Sequence, residues 1–522
     1  MRKSVTGPIA AALACLAGCA TPRQEAGADL LIRGGTVYTG SDAPFAGDVA
    51  VKGDRIIYVG PRGPAAAQVI DADGLIVAPG FIDPHTHMGN DLASDDAEAR
   101  LIPAFLLQGV TTAFIGNDGG GDPDVASVLG RASEKPVGIN YAAYVGFGAV
   151  RSRVIGAGDR PPTTGELERM KGLVAKAMCD GAFGLSSGLF YAPQSFAGTE
   201  EVAALAREAG IRGGIYDSHI RDESSYTIGL SAAIDEAIEV GRAGGLPVHI
   251  SHIKALGVDV QGQADSIIAK IEAARAEGRN VTADQYPWSA SGTSLVAALV
   301  PLWAQDGGRP ALLMRLDDRS LAARLRTDMT ENIRKRGGPA SLLITSGDSQ
   351  GRTLEEIAAA HGGDAISAAI AVIRIADPAV ASFNQSEADI QAFMKRDWVM
   401  TGSDASTGHP RVYGSFARKY SKYVVEDRVI PLRDFIERSS RLTADTFGLS
   451  GRGRLVKGGF ADIVVFDPAT YAPRATYEQP RLTAQGVRQL LVNGVLAVHD
   501  GALTGRAAGR ALPHQPSPGT CP

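Results

Sequence analysis

From Gly80 to about residue 450 this chain alternates strand-like runs with helical ones, and that ordering limits its fold more than any other feature. Strand-like runs end at Gly116, Ser186, His219, His252, Tyr286 and Asp404, and amphipathic segments such as Thr199 to Ala209 and Ser231 to Ala243 lie between them. Strands separated by helices pair in parallel, and a parallel array of this length closes into a barrel. The expectation is an α/β protein with a (β/α)8 TIM-like barrel over 81–450, interrupted by an insertion at about 289–346 that covers its mouth. Both flanks read differently. Residues 28–80 are short strands with turn signals between them, as in Leu30–Tyr38 and the hairpin around Lys52-Gly53-Asp54; strands return after Leu455. Segments 28–80 and 451–509 are therefore expected to complete one small β-sandwich domain, leaving 510–522 as a disordered tail.

The first barrel strand carries the first chemistry. Ala78 to Leu92 reads APGFIDPHTHMGNDL. On a strand, residues i and i+2 share a face, so His85 and His87 project together and can hold one metal ion. His219 and His252 end two later strand-like runs, at the barrel end where active sites sit. His249 and His252 differ by three positions and cannot share a face. His252 is chosen as the inward one, with His249 left as a hydrogen-bonded histidine turned toward the helices. Asp404 ends a late run, WVMTGSD, where a carboxylate can take a proton from a metal-activated water and give it to a leaving nitrogen.

Composition excludes some classes. A net charge of −5, with no basic patch carrying interleaved aromatics, gives no reason to expect nucleic acid. Four cysteines give neither a disulfide framework nor a Cys-x-x-Cys metal site; Cys179 reads as a small core residue and Cys521 as inert. At the N-terminus, Arg2 and Lys3 precede an apolar stretch too short to span a bilayer. It ends in Leu16-Ala17-Gly18-Cys19, which resembles a bacterial lipobox. Residues 1–19 are thus expected to be a lipoprotein signal with Cys19 lipidated, and 20–27 a tether. Alanine at position 20 points to the outer membrane of the cell envelope, facing the periplasm. The lipid at Cys19 would be the chain's sole membrane contact.

Taken together, His85, His87, His219, His252 and Asp404 resemble the amidohydrolase superfamily. The stretches GLSSGLFYAP (184–193), SHIRDES (218–224), VHISHIKALG (248–257), DQYPW (284–288), FNQSEAD (383–389) and HPRVYGSF (409–416) narrow the resemblance to the N-acyl-D-amino-acid deacylases, or D-aminoacylases. The resemblance implies a metal-dependent hydrolase that cleaves the amide of small N-acyl-D-amino acids, with Asp404 as general base and acid. It implies zinc, in one tight site with a second, weaker site left open. Lys254 and Arg411 would bind the substrate carboxylate, and Tyr191 and Tyr286 match family tyrosines near the substrate. One departure matters. Where the family usually has a cysteine after Gly-Asn, this chain has Asp118. As a ligand beside His85 and His87, a carboxylate would bind zinc less selectively than a thiolate and accept manganese or cobalt more readily. The alternative is that Asp118 only caps the Gly-rich turn. Competing functions on the same barrel are a peptidase acting on D-residue peptides, a cyclic-amide hydrolase, and an inactive binding barrel.

Overall fold

A computed structural model describes residues 27–522, together with Met1. The lipobox and Cys19 lie outside the described residues.

Eight strands form the barrel. They are Phe81–Asp83, Val110–Ile115, a third strand broken at Tyr144 into Asn140–Ala143 and Val145–Gly146, Gly184–Gly188, Ile215–His219, Val248–Ile250, Val281–Gln285 and Val399–Thr401. Each named pairing between neighbours is parallel. The break in the third strand is spanned by the Tyr144 amide, which donates to Ile115 O at 3.0 Å. The ring closes between the eighth strand and the first. A parallel bridge joins Thr86 to Ala405, and the Asp404 amide donates to His85 O at 3.0 Å.

Side-chain alternation splits each strand between two cores. Val248 and Ile250 face the helices and pack in one cluster with Ala237, Val240, Ile267 and Ile271. Ile82, Phe114, Ile215 and Met400 point into the barrel, joined by Phe183, and are plugged from below by Phe447 and Leu449. The Phe447 ring centroid lies 4.6 Å from that of Phe114 and 5.2 Å from that of His249. His249 therefore faces the barrel interior, which corrects the expectation that it turns to the helices. It is hydrogen-bonded there: Nδ1 lies 2.9 Å from Thr282 Oγ1 and Nε2 lies 3.1 Å from Asp284 Oδ1.

Both chain ends join a single nine-stranded sheet. Ile76–Pro79 pairs antiparallel with Ile463–Phe466, and the first strand, Ala28–Val37, pairs with three others along its length. The sheet encloses a core of its own that includes Ile32, Val49, Val77, Ile463 and Leu491.

Two expectations about boundaries change. The insertion runs further than 346, because its antiparallel sheet needs the strand Ala379–Phe383 to join Ala290–Ser294 and Leu342–Ile344. Its helices pack on a separate apolar core that includes Leu299, Met329, Ile357 and Ile373. The tail is not disordered. Tyr141 N donates to Arg510 O at 3.0 Å, Leu512 N to Tyr141 O at 2.8 Å, and His514 N to Gly181 O at 2.9 Å. A disulfide joins Cys521 to Cys179, so Cys521 is not the inert residue expected, nor is Cys179 only a small core residue. The two are separated by 342 positions, and no local spacing could have announced the pair.

Candidate metal centre

The expected ligands come together at the C-terminal end of the strands. His85 Nε2 lies 3.3 Å from Asp118 Oδ1 and 3.7 Å from Asp404 Oδ1. His87 Nε2 lies 3.5 Å from Asp118 Oδ2 and 3.2 Å from Asp404 Oδ1. On the other side of Asp118, His219 Nδ1 is 3.6 Å and His252 Nε2 is 3.6 Å from its carboxylate, and those two ring nitrogens are 2.9 Å apart. Two ligand groups thus share one carboxylate: His85, His87, Asp118 and Asp404, and Asp118, His219 and His252.

Positive-φ backbone at strand ends makes this possible. Asp118, His252 and Asp404 have φ of 55°, 35° and 47°, a conformation that non-glycine residues seldom adopt. Each lies two or three residues past a strand terminus. His252 reaches the site through this turn and not by strand alternation, since its strand stops at Ile250. Strained backbone that persists at one spot is a mark of a functional site.

The donor set suits a cation. Both ring nitrogens of His85, Asp118 Oδ1 and His219 Nε2 are buried without a hydrogen-bond partner among the described residues, and such groups normally have one. Burial disfavours charge on His85, yet Asp118, Asp284 and Asp404 carry it up to about 10. Burial opposes ionisation of Asp404, but the Arg411 guanidinium and His252 hold its carboxyl well below the usual carboxylate range. Imidazole nitrogens and carboxylate oxygens around a point of negative potential are the ligand types of zinc, manganese and cobalt.

A supporting layer holds the ligands. Glu223 Oε1 accepts from Lys254 Nζ at 2.5 Å and lies 3.1 Å from His252 Nδ1, the ring nitrogen turned away from Asp118. Asp284 Oδ1 accepts from the His252 amide at 2.9 Å, and its carboxylate packs so closely under Gly402 that a Cβ there would fall 2.0 Å from Oδ2. Asn117 ties three strands together, donating to Pro84 O and to Asp217 Oδ2, both at 3.1 Å, and accepting from Thr86 N. Glu223 and Asp284 were not singled out from sequence. Glu223 lies four residues after His219, and Asp284 opens the DQYPW stretch, so both lay within motifs already noticed.

Of the four expected substrate residues, all line or flank one cavity of about 470 Å³ above the ligands. Arg411 Nη1 lies 2.7 Å from Asp404 Oδ2 and its Nη2 donates to Ser406 Oγ at 2.6 Å. His409 positions it: the Arg411 amide donates to His409 Nδ1, and His409 Nε2 lies 3.1 Å from Ala290 O. Burial pushes His409 well below its ordinary value, which keeps the ring neutral. The Tyr286 ring lies under Arg411 at 4.9 Å and its hydroxyl accepts from Gln385 at 3.0 Å. The Tyr191 ring centroid is 4.8 Å from that of His219. Lys254 and Arg411 are therefore both ion-paired already, to Glu223 and Asp404.

Residues 68–498 match the amidohydrolase family, and the chain belongs to that family. Within it, the chain is 35% identical over 93% of its length, and 97% of the relative's, to a D-aminoacylase of Alcaligenes xylosoxydans xylosoxydans. Two solved structures are similar. One, described for the functional role of the binuclear metal center in D-aminoacylase, is 32% identical with a TM-score of 0.79, covering 93% of this chain and all of that one. The other is N-acyl-D-glutamate deacylase from Bordetella bronchiseptica, complexed with zinc and a phosphonate inhibitor. It is 30% identical with a TM-score of 0.80, covering 93% and 99%.

Proposed function

We propose that this protein hydrolyses the amide bond of N-acyl-D-amino acids, releasing a carboxylic acid and the free D-amino acid. The observation that carries the reading is the pair of ligand groups sharing Asp118, with Asp404 reaching one of them at the mouth of the barrel. Asp118, His219 and His252 would hold zinc, and His85 and His87 a second, weaker ion with Asp118 between them. A bound zinc supplies Lewis acidity toward the substrate carbonyl and a water that ionises near neutral pH.

The chain's own residues do the rest. Asp404 is ionised and takes the proton of the attacking water, then returns it to the amide nitrogen as that nitrogen leaves. Arg411 keeps Asp404 ionised and, swung toward substrate, offers a two-pronged donor to the α-carboxylate. Tyr286, packed beneath both Arg411 and Lys254, limits where their charges can lie. The insertion contributes Thr293, Thr345 and Val380 to the cavity wall.

The deciding experiment is a matched assay of N-acetyl-D- and N-acetyl-L-amino acids on zinc-loaded and chelator-treated protein. Hydrolysis of the D series alone, lost with metal and regained on adding it, is the expected result. Equal rates on the L series, or activity indifferent to metal, would sink the reading.

We also propose that the chain is exported and anchored through a lipid at Cys19. The Cys179–Cys521 disulfide supports an oxidising compartment, since such bonds persist outside the cytosol. The intact mass of the mature protein tests this, the expected species beginning at a diacylated Cys19. A mature N-terminus elsewhere would refute it.

A further inference from the structure

One buried carboxylate is not accounted for by the reaction. Asp284, in the seventh barrel strand Val281–Gln285, is fully buried beneath the ligand groups. Among the described residues no lysine or arginine pairs with it; the basic side chains that face it are His249 and His85. Its second oxygen, Oδ2, has no hydrogen-bond partner among those residues. A carboxylate in such a place is costly, and the groups it touches say what it is kept for.

It touches both turns that carry functional groups to the barrel mouth. His252 sits at φ 35°, and Asp284 holds that turn twice. Its Oδ1 accepts from the His252 amide at 2.9 Å, and its main-chain oxygen accepts from the Ile253 amide at 2.8 Å. On the other side Oδ2 packs under Gly402, where no Cβ would fit, two residues before Asp404 at φ 47°. Oδ1 also lies 4.0 Å from His85 Nδ1, the ring nitrogen turned away from Asp118 and itself unpartnered among the described residues. From below, His249 Nε2 fixes the carboxylate at 3.1 Å, and Thr282 fixes His249 in turn. An uncharged amide would accept from the His252 N–H at lower cost. The charge therefore has a second object, and the His85 imidazole is the one in position. Histidines that ligate metals usually give their outer N–H to an acceptor such as a carboxylate, which orients the ring and raises its basicity. We infer that Asp284 is a positioning residue for both ligand groups: its oxygens set the turn that delivers His252, and its charge orients His85. This rests on the reading of the cluster as a metal centre.

The test is zinc binding to the metal-free full chain, titrated against a chromophoric chelator, for wild type, Asp284→Asn and Asp284→Ala. The visible spectrum of the cobalt-loaded protein and the melting temperature of the metal-free protein are recorded alongside. Asparagine keeps an acceptor for the His252 amide and loses the charge beside His85. It should weaken the ion held by His85 and His87 by about 10- to 100-fold and leave the ion at His219 and His252 nearly unchanged. Alanine removes both contacts of the side chain. It should weaken both ions by about the same factor and change the cobalt spectrum. If the alanine variant does not fold, the asparagine variant decides alone. Wild-type affinities and spectrum in the folded variants, with only the metal-free melting temperature lowered, would make Asp284 a brace and overturn the inference. Equal weakening of both ions by asparagine would overturn the assignment of its charge to His85. A wild type that takes up neither zinc nor cobalt would overturn the metal-centre reading and this inference with it. A wild type that binds two ions, beside variants that bind them equally well, overturns the inference alone.

Discussion

The two ends of the barrel are built from the same eight strands and obey opposite rules. At the lower end, Ile82, Phe114, Ile215 and Met400 meet Phe447 and Leu449, every one of them buried and apolar. At the upper end, histidines and carboxylates crowd together with donor atoms unpaired, on backbone that leaves the extended region just as the strands stop. The lower end derives its stability from burial, at roughly 25 cal/mol per Å². The upper end concentrates like charges and strained turns that burial below must offset. The contrast teaches that mutations at the two ends should separate: the top should change chemistry with little loss of fold, and the bottom the reverse.

The largest separation is expected at Asp404. Asp404→Asn should lower kcat by about 10²- to 10⁴-fold, the usual worth of a general acid–base group, with metal content and melting temperature near wild type. Near-normal kcat would take Asp404 out of the mechanism. Next comes Asp118, the carboxylate shared by both ligand groups. Asp118→Ala should lose bound metal, read by elemental analysis, together with activity, and Asp118→Cys should recover zinc. Full metal occupancy in the alanine variant would reduce Asp118 to a turn residue.

At the lower end, Phe447→Ala should cost about 3–5 kcal/mol of stability, the range for emptying a buried phenylalanine site, while the folded fraction keeps its kcat. A matching fall in kcat would show that the two ends are not separable. The smallest effect is at Lys419, which is fully buried with its Nζ unpartnered among the described residues. Burial, with Arg438 adding repulsion, takes its pKa down to about 7. The folded state therefore binds fewer protons than the unfolded one between pH 7 and the ordinary lysine value near 10.4, so this residue makes stability rise with pH across that window. Lys419→Met should raise the melting temperature at pH 7 and flatten that slope. An unchanged slope would mean the amine finds a partner in solution.

Much of this was legible in the sequence, for different reasons at different residues. His85 and His87 were read from i, i+2 spacing, and His219 from its place at a strand end. His252 joins the candidate cluster by a route that alternation does not give: alternation would have brought His249 inward, and it does, one layer below the cluster. Only the turn at φ 35° brings His252 to the site, and such a turn leaves no mark in the residue type. Asp118 was singled out because it stands where the resembled family has a cysteine, and the structure places its carboxylate in both candidate ligand groups. Glu223 and Asp284 were missed because their roles depend on which neighbours are already paired. The disulfide and the docked tail were missed because both partners are remote in sequence.

The shared sheet has a consequence for the order in which the molecule can be made. Strand Ile76–Pro79 takes its neighbour from Ile463–Phe466, about 380 residues later, which at 5–20 residues per second is a wait of roughly 20–80 s during synthesis. Through that interval its edge is open, and open strand edges recruit other chains. Most barrel strands, by contrast, pair beside the one just made, although the first also waits for the eighth, at Thr86 and Ala405. The sheet is therefore the last element to close, and a chain that stops before residue 463 leaves its N-terminal strands without their other half.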